Sequence, residues 1–147
     1  MILKRLMFLP LLGILLFNVT AMDAQCKSFA KKSCLPKLAP YINNGQLNTT
    51  IMTPGQSADM VMNFNSGQSY RIVVMCEGVL GTVEFQIADA SGKILFKNKN
   101  GDEITDTWDF TVEQTTQLTL TVKVSDVVDK TQMNTEGCVS VLVGFKK

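Results

Sequence analysis

The fold class is decided by a stretch of alternating residues, Leu118-Thr119-Leu120-Thr121-Val122-Lys123-Val124. Apolar and polar side chains change places at every step, and a period of two is that of a strand with one face buried and one face in water. Threonine and valine also suit a pleated, half-buried surface. The stretch therefore predicts a β-strand that lines a core.

The same kind of pattern recurs along the chain after residue 46. Alternating or fully apolar segments lie at residues 47–52, 60–64, 70–76, 82–87, 94–96, 107–113 and 138–145. Turn signals that contain glycine separate them. About seven to eight strands at this spacing predict an all-β fold, an antiparallel β-sandwich of the jelly-roll kind. The only helical candidate is a short segment at residues 27–38.

The N-terminus has the composition of a secretory signal peptide, residues 1–24. Two basic residues precede an almost wholly apolar run at residues 6–17, and small residues then allow cleavage after Ala21 or Ala24. The run is shorter than the ~20 residues of a membrane-spanning helix, so we prefer cleavage to an uncleaved anchor. An acidic residue and a glutamine close before Cys26 disfavour a lipoprotein. We therefore predict a soluble exported protein.

After the signal peptide we predict a single β-sandwich domain, residues 25–147, whose first part, residues 25–41, is an N-terminal segment pinned by disulfides. The whole chain has 14 Lys and Arg, 13 Asp and Glu, and no histidine. Removing residues 1–24 removes two bases and one acid, which leaves the mature chain formally neutral. This balance argues against a nucleic-acid partner. The absence of histidine excludes Ser-His-Asp and Cys-His catalysis and zinc sites that need imidazole.

The chain has four cysteines, Cys26, Cys34, Cys76 and Cys138. An even number behind a signal peptide indicates two disulfides in an oxidising compartment. In an eight-strand jelly roll the last strand lies antiparallel to the third, which brings Cys138 near Cys76. We therefore favour the pairs Cys76–Cys138 and Cys26–Cys34, although the second needs a bent helix, because disulfide Cα atoms lie about 5.5 Å apart. A four-thiolate metal site is the alternative, and the lack of C-x2-C pairs disfavours it.

Several strand segments resemble those of known secreted proteins. They are Gly55-Gln56, Tyr70 to Val74, Val83 to Ile87, Trp108-Asp109-Phe110 and Gly137 to Phe145. These segments resemble small secreted bacterial β-sandwich proteins of unassigned activity, and they are distantly similar to the pre-peptidase C-terminal (PPC) type of domain. The resemblance implies an exported accessory or binding role without catalysis. It supplies no family active residues.

One polar loop holds the kind of ligands that calcium prefers. Asn98, Asn100, Asp102 and Asp106 surround a glycine, and hard oxygens on a tight turn can coordinate Ca²⁺. The alternative is a solvated loop between strands, in which Asn, Asp and Gly serve the turn itself. Calcium is the only cofactor that the sequence suggests.

Other candidate residues favour structural roles. Glu103, Asp106 and Asp109 are carboxylates suited to acid–base work, but nothing in the sequence builds a cleft around them, so we predict a wet strand surface. Trp108 shares its strand face with apolar residues, which predicts a core position, and Tyr41 and Tyr70 are better candidates for exposure.

The N-terminal segment carries Lys27, Lys31, Lys32 and Lys37 with no acidic partner from residue 25 onward within it. These lysines could contact an anionic surface such as membrane headgroups. We prefer a solvated helix face that the cysteines hold in place.

Together these features predict an exported, non-catalytic binding or accessory protein, periplasmic or extracellular, with a protein or glycan partner in the envelope or outside the cell. The alternative is a structural or assembly subunit of a bacterial envelope complex, docked through an edge strand or the N-terminal segment. A small carboxylate-dependent hydrolase is a third alternative. No stretch after the cleavage site is apolar enough to span a membrane.

Overall fold

The computed structural model describes residues 21–126, 131 and 134–146. Most of the predicted signal peptide, residues 1–20, lies outside these ranges. The two candidate cleavage positions, after Ala21 and after Ala24, lie within them, and cleavage there stays a prediction. Within the described ranges, no helix has the length and apolar character needed to cross a membrane.

A helical segment opens the described chain, as the pattern at residues 27–38 predicts. It consists of an α-helix, α1 (Ala21–Phe29), a π-helical turn (Ala30–Cys34) and a 3-10 turn (Leu35–Leu38). Asp23 lies in the first turn of α1 and pairs with Lys27 one turn later at 3.0 Å, an arrangement that suits the helix dipole. The segment ends among prolines, which lack the N–H that would continue it.

Strands make up most of the remaining chain. Those of the described residues are β1 (Ile42–Asn43), β2 (Asn48–Met52), β3 (Ser57–Phe64), β4 (Gln68–Cys76), β5 (Val83–Asp89), β6 (Ile94–Lys97), β7 (Lys99–Asn100), β8 (Glu103–Ile104), β9 (Thr107–Val112), β10 (Thr116–Val124) and β11 (Gly137–Lys146). A 3-10 turn (Gly78–Leu80) joins β4 to β5. The strand positions expected from the sequence are confirmed to within a few residues.

The strands form two antiparallel sheets packed face to face. Sheet A has the order β1-β11-β4-β9, with β2 also paired to β11, and sheet B has the order β3-β10-β5-β6. Along the chain the eight longer strands change sheet at each connection except that from β5 to β6, as they do in a jelly roll, and the last strand lies beside the third long one. The predicted all-β, jelly-roll sandwich is confirmed. A small hairpin, β7–β8, stands outside both sheets.

The core lies between the inner faces of the two sheets. The alternation predicted for residues 118–124 is observed in β10. The apolar residues Leu118, Leu120, Val122 and Val124 are buried, while Lys123 is exposed. Alternate residues of a strand point to opposite faces, so every second side chain of β10 enters the core.

Stacked aromatic rings close one side of the core. The ring of Trp108 lies 4.2 Å from that of Phe110 and 5.2 Å from that of Phe96 on the opposite sheet. Trp108 is half-buried and packs against the core, as predicted. The expectation that Tyr70 is exposed is wrong: its ring is 6% exposed, and its hydroxyl accepts a hydrogen bond from the Asn65 N–H at 2.9 Å.

The outer face of sheet A is covered by the helical segment, and we call it the covered face. Cys26, Ala30, Cys34 and Leu38 recur every four residues and are buried. Ala30, Cys34 and Leu38 pack with Val73 of β4 and Leu142 of β11 in a second, smaller core. Both strands are therefore apolar on two faces because each face meets a packed layer.

The favoured disulfide pairs are wrong. The structure joins Cys26 to Cys138, with Cα atoms 5.3 Å apart, and leaves Cys34 and Cys76 as free thiols. The predicted strand neighbours are correct, since β11 pairs with β4, but the residue opposite Cys76 is Val139.

Cys138 thus lies one position out of register with Cys76, and a shift of one residue turns a side chain to the other face of a sheet. Cys138 points to the covered face, where α1 places Cys26. Cys34 lies farther along the helical segment, roughly 12 Å from Cys26 by helix rise, which is beyond disulfide reach.

Candidate functional site

The outer face of sheet B is accessible to solvent, and we call it the polar face. Its outward side chains are at least partly exposed, and all but one of the following are polar or charged: Ser57, Asp59, Val61 and Asn63 of β3, Gln117, Thr119, Thr121 and Lys123 of β10, Glu84 and Gln86 of β5, and Lys97 of β6. The alternating patterns of β3, β5 and β10 dictate this face, because their apolar residues, except Val61 and Ala88, enter the core.

Strand register arranges the polar face in rows. Asp59, Thr121, Gln86 and Lys97 lie opposite one another on four successive strands and form one row. Directly opposed residues have Cβ atoms about 4.5–5.5 Å apart, so the row is a continuous polar surface. A depression of about 320 Å³ lies over the Lys97 end of the face. Its lining includes Ser57, Glu84, Gln86, Lys97, Lys99, Thr121 and Lys123.

The lysines of this depression differ in their partners. Lys99 Nζ lies 2.7 Å from a Glu84 carboxylate oxygen, which raises the pKa of Lys99, and Lys123 Nζ lies 3.3 Å from Asp126. Lys97 forms no salt bridge with any residue that the structure describes. Its ammonium group is therefore available to a ligand, with Gln86 on the neighbouring strand and Thr121 one strand farther along the same row.

A buried asparagine builds the wall of the depression. The Asn98 carbonyl oxygen accepts a hydrogen bond from the Phe85 N–H at 2.7 Å. Its amide nitrogen donates to the carbonyl oxygens of Val83 and Thr105, both at 3.0 Å. Asn98 thus holds β5 to the base of the β7–β8 hairpin. The sequence analysis predicted that Asn98 is a candidate calcium ligand. Its structural role could not be predicted, because its partners are backbone groups that no sequence motif reveals.

The candidate calcium residues have separate positions. Asn100 and Asp102 are exposed on the β7–β8 hairpin, whose Gly101 has a φ of 62°, the left-handed conformation that a tight turn requires. Asp106 forms an ion pair with Lys37 of the helical segment, and Asn98 is engaged with the backbone. Among the described residues, no group of three or more Cys, Asp or Glu could hold a metal ion. Calcium binding stays a prediction, while the contacts observed are those of a solvated hairpin.

The candidate acid–base carboxylates do not converge on a cleft. Both oxygens of Asp109 accept hydrogen bonds from Arg71, each at 2.7 Å, and this contact lowers the pKa of Asp109. Arg71 also donates to the carbonyl oxygens of Lys37 and Ala39 at 3.1 and 2.8 Å. The pair therefore fastens the end of the helical segment to sheet A, while Glu103 is exposed on the hairpin.

The two free thiols are shielded rather than activated. Burial raises the pKa of Cys34 to about 11, and a contact with the Ser140 hydroxyl opposes this rise. The Ser140 oxygen is itself buried and makes no hydrogen bond of standard geometry. Burial also raises the pKa of Cys76, whose sulfur lies 3.7 Å from the Gly81 carbonyl oxygen. Thiols with raised pKa values stay protonated at neutral pH and are poor nucleophiles.

Comparison with protein-family models finds no match, and comparison with curated proteins finds none. Among solved structures, the chain is similar to PliG of Aeromonas hydrophila, a periplasmic lysozyme inhibitor of g-type lysozyme. The sequence identity is 10%, the TM-score is 0.47, and the match covers 73% of this chain and 89% of that chain. A likeness of this size assigns no role to any residue of this chain.

Proposed function

We propose that the protein is an exported, non-catalytic binding protein and that the polar face contacts its ligand. The observation that carries this proposal is the position of Lys97. It is a cation without an ion-pair partner among the described residues, and it borders a depression that also offers an amide and a hydroxyl. Such a group is the natural partner of a carboxylate, sulfate or phosphate on a ligand.

Two features support export and a role without catalysis. The Cys26–Cys138 disulfide fits an oxidising compartment outside the cytoplasm, in agreement with the predicted signal peptide. The groups suited to chemistry have structural partners: Asp109 binds Arg71, Asp106 binds Lys37, and burial keeps the thiols protonated. What remains accessible on the polar face is suited to hydrogen bonding and charge pairing.

The ligand that fits this depression carries an anionic group together with hydroxyl or amide groups. Lys97 would pair with the anion, while Thr121 and Gln86 would donate to or accept from the neighbouring groups. Because the depression is open to solvent, the charge pairing is screened by salt, and binding weakens as ionic strength rises.

The proposal is tested with a sulfated polymer, heparin, and a neutral polymer, dextran, as probes. We expect the protein to bind heparin at low salt and not dextran, and Lys97→Ala to weaken heparin binding roughly two- to fivefold, the size of one exposed ion pair. Lys31→Ala is the matched control, because Lys31 is an equally exposed lysine on the helical segment. Loss of binding in Lys31→Ala alone, or equal binding to both polymers, would overturn the proposal.

An assembly role is the second candidate, and the open edge of β3 favours it. Among the described residues, this strand of eight residues ends sheet B and pairs only with β10. Edge strands of this length are templates for strand addition. Native mass spectrometry of the protein extracted gently from its source would support an envelope complex if it showed one different chain in fixed stoichiometry.

A further inference from the structure

The longest open edge of the sandwich is strand β3. All eight of its residues, Ser57 to Phe64, are paired with β10 on one side, and sheet B ends on the other. At about 3.3 Å per residue, this edge is about 26 Å long. Lys97 lies on the opposite edge of sheet B, and Ser57 is the one residue of β3 that lines the proposed ligand site, so pairing at the centre of the β3 edge does not depend on that site.

The hydrogen-bond pattern shows which backbone groups face outward. The Val124 N–H donates to the Gln56 carbonyl oxygen at 3.0 Å, which places the hydrogen-bonded pairs of the ladder at the even-numbered positions of β3. In an antiparallel ladder the intervening residues direct their N–H and C=O groups away from the neighbouring strand. The groups on the open edge therefore belong to Ser57, Asp59, Val61 and Asn63.

The β3 edge lacks the features that normally prevent strand addition. Proteins protect exposed edges with lysine, proline, bulges or short length. β3 has no lysine and no proline, its register with β10 is unbroken, and Asp59 is its only charge. Near the centre of β3, the residue Val61 is 58% exposed. The other edge of sheet B is protected: β6 has four residues, its pairing with β5 is irregular, and it ends at Lys97.

Apolar surface continues from this edge into the opening between the sheets. Met60 and Met62 of β3 are only partly buried and line a depression of about 430 Å³ beside the strand. Across the depression lie Asn44 and Gln46 of the β1–β2 connection and Asn48 of β2. A strand added to β3 would cover the two methionines, whose flexible side chains adapt to irregular contacts.

We propose that β3 pairs antiparallel with β3 of a second copy of this chain, with Val61 opposite itself on the two-fold axis. This register places Asp59 opposite Asn63 of the partner subunit, so that a carboxylate meets an amide donor. A register centred on Asp59 would oppose two like charges, which destabilises a strand pair. A register centred on Met60 would place the Asp59 carboxylate opposite a valine. Charge and burial therefore select Val61 as the centre.

The pairing forms about six backbone hydrogen bonds, two at each of three opposed positions. It makes the two four-stranded sheets continuous across the axis. It also brings the exposed Val61 side chains of the two copies into contact on the outer face of the sheet. The contact is isologous, so it closes at the dimer and does not propagate into a filament.

Sedimentation of the exported protein over a range of concentrations tests the dimer. We expect a monomer–dimer equilibrium that reaches mostly dimer at high concentration. Val61→Lys should shift it to monomer, because two ammonium groups would then face each other on the axis. Val79→Lys is the matched control, since Val79 is 55% exposed in the Gly78–Leu80 turn, away from the β3 edge, and it should leave the dimer unchanged.

Disulfide trapping tests the register. Val61→Cys should form an inter-chain disulfide on treatment with diamide, because opposed Cα atoms lie about 5.5 Å apart in such a pair. Asp59→Cys should not, because its two copies would be four residues apart along the strands, roughly 13 Å. The unsubstituted chain under the same oxidation gives the background from Cys34 and Cys76.

A protein that stays monomeric at all concentrations would overturn the inference, as would trapping through Asp59→Cys at the rate seen with Val61→Cys. Association only with a different chain would also overturn it, in favour of the assembly role. Loss of heparin binding in Lys97→Ala alongside a monomeric protein would leave the proposed function standing and reject the dimer.

Discussion

The two outer faces of the sandwich differ in polarity and in exposure to solvent. On the covered face, β4 and β11 direct Val73 and Leu142 outward, and the helical segment buries them. On the polar face, β5 and β10 direct residues such as Gln86 and Thr121 outward to solvent. Strands that are apolar on both faces need a layer on each side, whereas strictly alternating strands need only one.

This difference indicates separate roles for the two faces. The covered face contributes to stability through a second core, a disulfide and the Arg71–Asp109 pair. Among the described residues no layer packs on the polar face, so its side chains are accessible for the proposed ligand contacts. Substitutions on the covered face should therefore change the free energy of unfolding, and those on the polar face should change binding.

The largest effect is expected from removal of the disulfide. Cys26→Ala should lower the free energy of unfolding by about 3–5 kcal/mol, because the bond closes a loop with a sequence separation of 112 residues in the unfolded chain. Urea unfolding measures the change. Cys76→Ala removes a thiol that makes no disulfide and is the control. Equal losses in both variants would show that the bond does not hold the helical segment in place.

The next effect concerns the close approach of the helical segment to β11. A Cβ atom at Gly144 would lie 2.8 Å from Tyr41 Cβ and 3.1 Å from Leu38 Cδ2. Gly144→Val should therefore cost about 1–3 kcal/mol by overpacking. Thr121→Val on the polar face should change stability by less than about 0.5 kcal/mol. If the two substitutions had similar costs in thermal unfolding, the contrast between the faces would fail.

Loss of Arg71 should have a smaller, pH-dependent effect. Arg71→Ala removes the pair with Asp109 and two bonds to backbone carbonyls, which should cost about 1–2 kcal/mol at neutral pH. Arg71 lowers the pKa of Asp109, so this stabilisation is present above the ordinary pKa of 3.8 and is lost as the pH falls through the lowered value. The stability difference between the two proteins should thus narrow in acid to the part that comes from the two bonds to backbone carbonyls. A difference that stays constant down to that pH would contradict the role of the pair.

Ionisation of Cys34 is expected to have the smallest effect on stability at neutral pH, because its pKa of about 11 keeps the thiol protonated. The stability that the protonated thiol contributes to the folded state should be lost only as the pH rises from about 9 to about 11. The reason is that the thiol holds its proton more tightly in the folded chain than in the unfolded chain. At pH 8, iodoacetamide should modify half-buried Cys76 first, and mass spectrometry of the peptides reads out the order. Equal labelling of Cys34 in the native protein would mean that the covered face opens readily.

Much of the fold could be predicted from the sequence, because period-two alternation and turn glycines are local signals. The eight long strands and the neighbourhood of β4 and β11 were predicted in this way. Disulfide partners could not be predicted, since Cys138 and Val139 differ by one position and only the exact register assigns each to a face.

The sequence predicted a binding or accessory role but none of the residues that form the proposed ligand site. The role of Asn98 depends on backbone groups 13 and 15 residues earlier, and no spacing rule connects them. Lys97 is available because the nearby carboxylates pair with other lysines: Glu84 forms a salt bridge with Lys99, and Asp126 forms one with Lys123. Such contacts appear only when strands from distant parts of the sequence lie side by side.

The division between a structural face and a binding face is tested most directly by mapping amide shifts in NMR spectra during titration with a heparin oligosaccharide. The account predicts shifts concentrated around Gln86, Lys97 and Thr121, with the helical segment and β11 unchanged. Shifts concentrated on the helical segment, around Lys31 and Lys32, would contradict it.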